Sequence, residues 1–117
     1  FLFVHDTAAA FATVGTAPAE AVVGETFNAG TGDEISIGRL AETICELMGR
    51  PVPVRLESER LRPANSEVMR LVCDSTKLRR ATGWAPQHDL KSGLTITIDW
   101  FLDPANLAKY RPGTYAR

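Results

Sequence analysis

Short apolar runs, some continuous and some at helical spacing, alternate along the chain and are separated by Gly, Pro and helix-capping residues. The clearest periodic run follows Ser36. Ile37, Leu40, Ala41, Ile44, Cys45, Leu47 and Met48 recur at the three- and four-residue steps of one helix face. Ser36 is placed to cap that helix, Ile35 and Leu40 can form a hydrophobic staple across its first turn, and Gly49 and Pro51 end it. A second stripe, Leu90, Leu94, Ile98 and Phe101, predicts a helix capped by Asp89 and closed at Asp103–Pro104.

The continuous runs predict strands. Phe1 to His5 is apolar and β-favouring, Glu25 to Gly30 runs into a turn at Gly30-Thr31-Gly32-Asp33, Val52 to Leu56 alternates, and Met69 to Cys73 is a fourth extended stretch. Asp6 is expected to cap a helix that carries Ala10, Phe11 and Val14 on one face, and Asp74 to cap a short helix after the fourth strand. Gly83 stands where a left-handed residue ends that helix, with Trp84 folding back on Leu78 as a packing residue. Strands alternating with helices predict an α/β fold, yet three or four brief strands cannot make a full doubly wound sheet, so the expectation is a small mixed, cap-like domain. It should span residues 1–104, followed by a polar tail at 105–117.

Length and charge narrow the function classes. At 117 residues the chain suits one modest core. A formal charge of -1 removes the global field that would gather nucleic acid or an anionic membrane surface. No apolar run approaches the ~20 residues needed to span a bilayer, and the opening residues lack the layout of a signal peptide, so a cytoplasmic location is expected. The chain opens directly on Phe1-Leu2-Phe3-Val4, which reads as a cut within an element. Cys45 and Cys73 lie in apolar patterns without a second ligand at metal spacing, and they read as reduced, buried thiols.

A self-sufficient enzyme needs a nucleophile with its base, a metal cluster or a cofactor cradle, and none is legible. His5 and His88 show no metal-ligand spacing and read as surface or packing residues. Gly30-Thr31-Gly32 lacks both the third glycine of a dinucleotide fingerprint and the Lys-Ser/Thr of a phosphate loop. Catalytic, cofactor-binding and metal-ligating residues are therefore assigned to no position. The basic loop with Arg60 and Arg62 is the one cluster with binding chemistry: a guanidinium fork suits phosphate oxygens, and Glu67 can accept sugar hydroxyls. Spacing alone reads the same Arg62 and Glu67 as a surface salt bridge or as solvated groups.

Four stretches give that cluster a context. Phe1-Leu2-Phe3-Val4-His5-Asp6-Thr7, Phe27-Asn28-Ala29-Gly30-Thr31-Gly32, Arg62-Pro63-Ala64-Asn65-Ser66-Glu67, and Asp74-Ser75-Thr76-Lys77-Leu78 with Gly83-Trp84-Ala85-Pro86 follow one another in order. Together they resemble the C-terminal, substrate-binding part of the extended short-chain dehydrogenase/reductases, the NAD-dependent sugar-nucleotide epimerases and dehydratases. Arg-Pro-x-Asn-Ser-Glu-Val is most similar to the branch of 4,6-dehydratases acting on nucleotide-linked N-acetylhexosamines, including the legionaminic-acid type.

The resemblance implies a full-length parent in which NAD takes a hydride from sugar C4, water leaves across C5 and C6, and the hydride returns at C6. It implies a homodimer, a nucleoside-diphosphate sugar as ligand, and a Rossmann lobe with a Gly-rich turn and a Tyr-x-x-x-Lys pair. Neither motif occurs here, and neither Tyr110 nor Tyr115 has a lysine four residues on. The segment alone is thus expected to bind no NAD and to be inactive. What the resemblance transfers is the nucleotide side of the substrate site. Arg62 corresponds to the diphosphate-binding arginine, Glu67 to the acid on the ribose hydroxyls and Ile37 to an apolar position near base or ribose. Arg60 competes for the phosphate role, with Asn65 and Ser66 as additional contacts. An epimerase, or a standalone binding module without catalysis, are the alternatives.

Overall fold

A computed structural model describes residues 1–53 and 70–109. They form six helices: α1 (Val4–Thr16), α2 (Ala19–Val22), α3 (Ile37–Met48), α4 (Thr76–Thr82), α5 (Leu90–Leu102) and α6 (Pro104–Leu107). Helix α3 packs against α5, α2 against α4, and α6 turns back on the end of α5.

The periodic runs fold as their local chemistry dictates. Ser36 Oγ accepts the Arg39 amide at 3.1 Å, which satisfies one of the donors that a helix start leaves open. Gly49 ends α3 at φ 62°, where a Cβ would be strained. Asp89 accepts the Ser92 amide at 2.7 Å and caps α5, and Asp103 accepts the Ala105 amide at 2.9 Å and starts α6. Gly83 closes α4 at φ 74°, donating its amide to Arg79 O at 2.8 Å. Asp74 takes the Thr76 amide at 2.9 Å, while the adjoining Ser75 turns inward and donates its hydroxyl to Gly30 O at 3.0 Å.

The mixed α/β arrangement expected from sequence is not what these residues adopt: the regular elements among the described residues are all helices, and no strand occurs among them. Phe1 to His5 is the plainest correction. Thr7 donates its amide to Phe3 O at 3.0 Å, so the helix opens at Val4 inside the expected strand. A run of five apolar residues does not separate the two periods, and the packing of the following turns decides. Residues 25–30 and 70–73 do approach one another, since a Cβ on Gly30 would lie 2.5 Å from Cys73 Cβ. No backbone ladder joins them, and strand propensity without a hydrogen-bonded partner does not make a sheet. The expected strand at Val52 continues beyond the described residues after Pro53, and Met69 also lies outside them.

The core is small and sits between α1, α4 and the segment after Gly83. Leu78 and Trp84 are fully or nearly buried with Ala10, and Leu2, Val14, Phe27 and Ala29 pack around them. Trp84 folds onto Leu78 as its position after Gly83 predicts. Helix α1 departs from its expected face: Ala10 is buried, whereas Phe11, about 100° further round, is 77% exposed.

Asp6 is not a cap. It lies in the first turn of α1 at 2% exposure and accepts three bonds from the segment leading into α5. These come from the Gln87 amide, the His88 amide and the His88 ring, each at 3.1 Å.

Candidate functional site

Ile37 is the one candidate binding residue among the described residues; Arg60, Arg62, Asn65, Ser66 and Glu67 lie outside them. It occupies the first position of α3, directly after the Ser36 cap, and is 72% exposed. An apolar side chain held that far into solvent at a rigid helix start is free to pack against a ligand or another part of a protein.

The stretch before it is fixed at both ends. Thr31 Oγ1 accepts the Asp33 amide at 3.2 Å, forming a local turn. Three residues before Ile37, Glu34 receives Arg70 in a two-pronged bond, Nε at 2.9 Å and Nη2 at 2.6 Å. The Glu34 carboxylate raises the Arg70 guanidinium above its ordinary value. This fork-to-carboxylate geometry is the directional kind of ion pair. It ties the first described residue after the Arg60–Glu67 stretch to the turn that carries Ile37. Sequence reasoning did not find it, since a pair 36 positions apart leaves no spacing signal.

Two adjoining hollows flank α3 and α5. One, of about 290 Å³, has walls from Phe1, Phe3, Leu40, Leu90 and Leu94, with His88 on its lining. The other, of about 540 Å³, shares Phe1, Thr31, Asp89 and Leu90 with it and adds the charged groups Asp33, Glu34, Arg39 and Lys91. Arg39 is already engaged by Glu42 at 3.0 Å and Glu46 at 3.4 Å, and these carboxylates raise its basicity. Asp89 is held below its usual range, first by the Ser92 hydroxyl and then by the Ser92 amide. Its charge is thus committed to the start of α5.

Among the described residues buried Asp6 and half-buried His88 form the one carboxylate–imidazole pair. Burial pushes the Asp6 carboxyl up, but the His88 ring and the Gln87 and His88 amides together outweigh it and hold the group below its usual range. Among the described residues no Ser, Thr or Cys hydrogen-bonds to the His88 ring, so the pair lacks the nucleophile that would make it a hydrolytic site. Cys45 and Cys73 are free and half-buried. No group of three His, Cys, Asp or Glu among the described residues is placed to hold a metal ion. No helix among them is long and apolar enough to cross a membrane. Among the described residues the arrangement offers contact surfaces and fixed charges.

Comparison with known proteins finds relatives along most of the chain. The chain is 34% identical to dTDP-glucose 4,6-dehydratase of Neisseria meningitidis serogroup B over 113 residues, covering 88% of this chain. It is 34% identical to the Shigella flexneri dTDP-glucose 4,6-dehydratase over 122 residues, covering 98% of this chain. The chain is homologous to part of a nucleotide-sugar 4,6-dehydratase. The Escherichia coli K12 enzyme named dTDP-glucose 4,6-dehydratase 1 is 35% identical over 87% of the chain. In each case the chain spans only about a third of the relative, 30%, 32% and 28% respectively. No family profile matches the chain, and no solved structure does. The dehydratase part of the resemblance drawn from the four stretches is thereby upheld; these relatives do not carry the legionaminic-acid subtype.

Proposed function

We propose that this chain is the C-terminal, substrate-binding part of an NAD-dependent nucleotide-sugar 4,6-dehydratase, with its domain boundary near residue 104. The observation that carries the reading is the run of similarity to dTDP-glucose 4,6-dehydratases along nearly the whole chain but only about a third of theirs. Arg62 binds the diphosphate, with Arg60, Asn65 and Ser66 beside it, Glu67 takes the ribose hydroxyls, and Ile37 packs on base or ribose. The exposure of Ile37 and the Glu34–Arg70 clamp support this grouping, because the clamp lies three residues along the chain from both Ile37 and Glu67. NAD and the catalytic groups belong to the remaining part of the parent, a cytoplasmic homodimer, and this segment alone neither binds NAD nor turns over substrate. Dehydration is favoured over epimerisation by the names of the relatives.

The sugar admits a second reading on one observation. Arg62-Pro63-Ala64-Asn65-Ser66-Glu67-Val68 is similar to the N-acetylhexosamine branch, while the relatives are named for dTDP-glucose. Supplying the intact protein and NAD with dTDP-glucose or with a nucleotide-linked N-acetylhexosamine, and following loss of one water by mass spectrometry, decides between them. Dehydration of one supports the reading and names the sugar. C4 inversion without water loss would make the parent an epimerase, and no turnover of either would refute both readings.

A further inference from the structure

Four hydrogen bonds from one short segment converge on a single residue of α1. Residues 83–89, which join α4 to α5, are neither helix nor strand. Trp84 Nε1 donates to the Asp6 backbone oxygen at 3.3 Å, and the Asp6 carboxylate takes the Gln87 amide, the His88 amide and the His88 ring. No buried side-chain nitrogen or oxygen among the described residues is left without a partner, so the attachment is complete as built. Beside it the Phe3 ring lies against the His88 ring at 4.7 Å, tilted by 57°. Phe3 also fills the space above Gly93, where an added Cβ would come within 3.2 Å of Phe3 Cβ.

We propose that Asp6 is the catch of a strap: residues 84–88, fastened to this one residue, hold the start of α5 beside the residues that open α1 and thereby set the width of the 290 Å³ hollow that residues 1–4 share with α5. The physical ground is the concentration of the contact. The segment makes no ladder with a neighbour, and its buried apolar anchor is Trp84 alone, at 5% exposure. A carboxylate with three donors is an all-or-none fastening, since breaking it strands a buried charge and unpairs two amides together. Phe3, His88 and Leu90 line the hollow on both sides of the fastening, so releasing it separates the walls. His88 acts here as a positioning residue through Asp6.

Hydrogen exchange by mass spectrometry on the purified intact protein tests the strap, with peptides covering 84–90 read against those covering α3. Asp6→Asn should speed exchange of the 84–90 peptide about tenfold or more, as expected when amides lose a charged acceptor, and leave α3 unchanged. His88→Phe keeps a ring on Phe3 but removes the ring bond. It should speed the same peptide several-fold, and it decides the matter if Asp6→Asn does not fold. Gly93→Ala, which pushes on Phe3 without touching Asp6, should leave the Gln87 and His88 amides protected. Wild-type exchange at 84–90 in His88→Phe, or an equal rise in α3 for either variant, would overturn the strap: the first removes the fastening and the second makes it ordinary global stability.

Discussion

The two halves of the described structure are held by different means. Around Asp6, Leu78 and Trp84 the side chains are buried nearly completely, and the bonds to Asp6 cross between segments far apart in the chain. Around α3 and α5 the stripes are half-buried, two hollows open between the elements, and most polar bonds are local caps and same-helix ion pairs. The first region makes the fold; the second leaves surface and charge in place for something else to contact.

That contrast can be broken by substitution, beginning where the effect is largest. Trp84→Ala should cost about 3–5 kcal/mol in urea unfolding, because it empties the core and abandons the bond to Asp6 O. Gly30→Ala belongs with it: a Cβ 2.5 Å from Cys73 Cβ must displace backbone that Ser75 fastens, and we expect about 2–3 kcal/mol. Capping changes in the second region should be milder. Ser36→Ala removes one acceptor from an exposed helix start and should cost about 1 kcal/mol. Ile37→Ala, at a position 72% exposed, should move stability by less than about 0.5 kcal/mol and yet raise KM for the sugar nucleotide in the intact protein. A large loss of stability in Ile37→Ala, or none in Trp84→Ala, would erase the distinction between the two regions.

Acid sharpens the same comparison. The folded-state carboxyl of Asp6 sits below its ordinary value, so the folded form binds fewer protons there than the unfolded form. Its contribution is complete above the ordinary carboxylate range near ~4 and disappears as pH falls through the lowered value. The stability gap between wild type and Asp6→Asn should therefore be widest near neutrality and shrink on acidification, read as urea midpoints across the series. A gap independent of pH would deny the carboxylate its charge in the folded state.

Local chemistry was legible in the sequence wherever a few neighbouring residues decide the outcome. The caps at Ser36 and Asp89, the end of α3 at Gly49, and the end of α4 at Gly83 each depend on residues within a turn or two, and all form as read. Phe1 to His5 was not legible because five apolar residues fit either period, and the choice is made by the turns that follow and by their packing. Asp6 was missed for the same reason. Once α1 starts at Val4, Asp6, Ala10 and Val14 fall on one face at four-residue steps, and a carboxylate on a buried face requires partners. Those partners stand 81 and 82 positions away, beyond the reach of any spacing rule. Of the candidate site, Arg60, Arg62, Asn65, Ser66 and Glu67 are proposed from motif resemblance and lie outside the described residues, Ile37 is exposed at the start of α3, and the Glu34–Arg70 clamp emerges only in three dimensions.

The proposal at the centre of this account is that Arg62 grips the diphosphate of an activated sugar, and steady-state kinetics of Arg62→Ala in the intact protein test it most directly. Loss of a charge-assisted phosphate contact of about 1.5–3 kcal/mol predicts a rise in KM of roughly ten- to more than a hundredfold. An unchanged KM in a folded Arg62→Ala protein would contradict it.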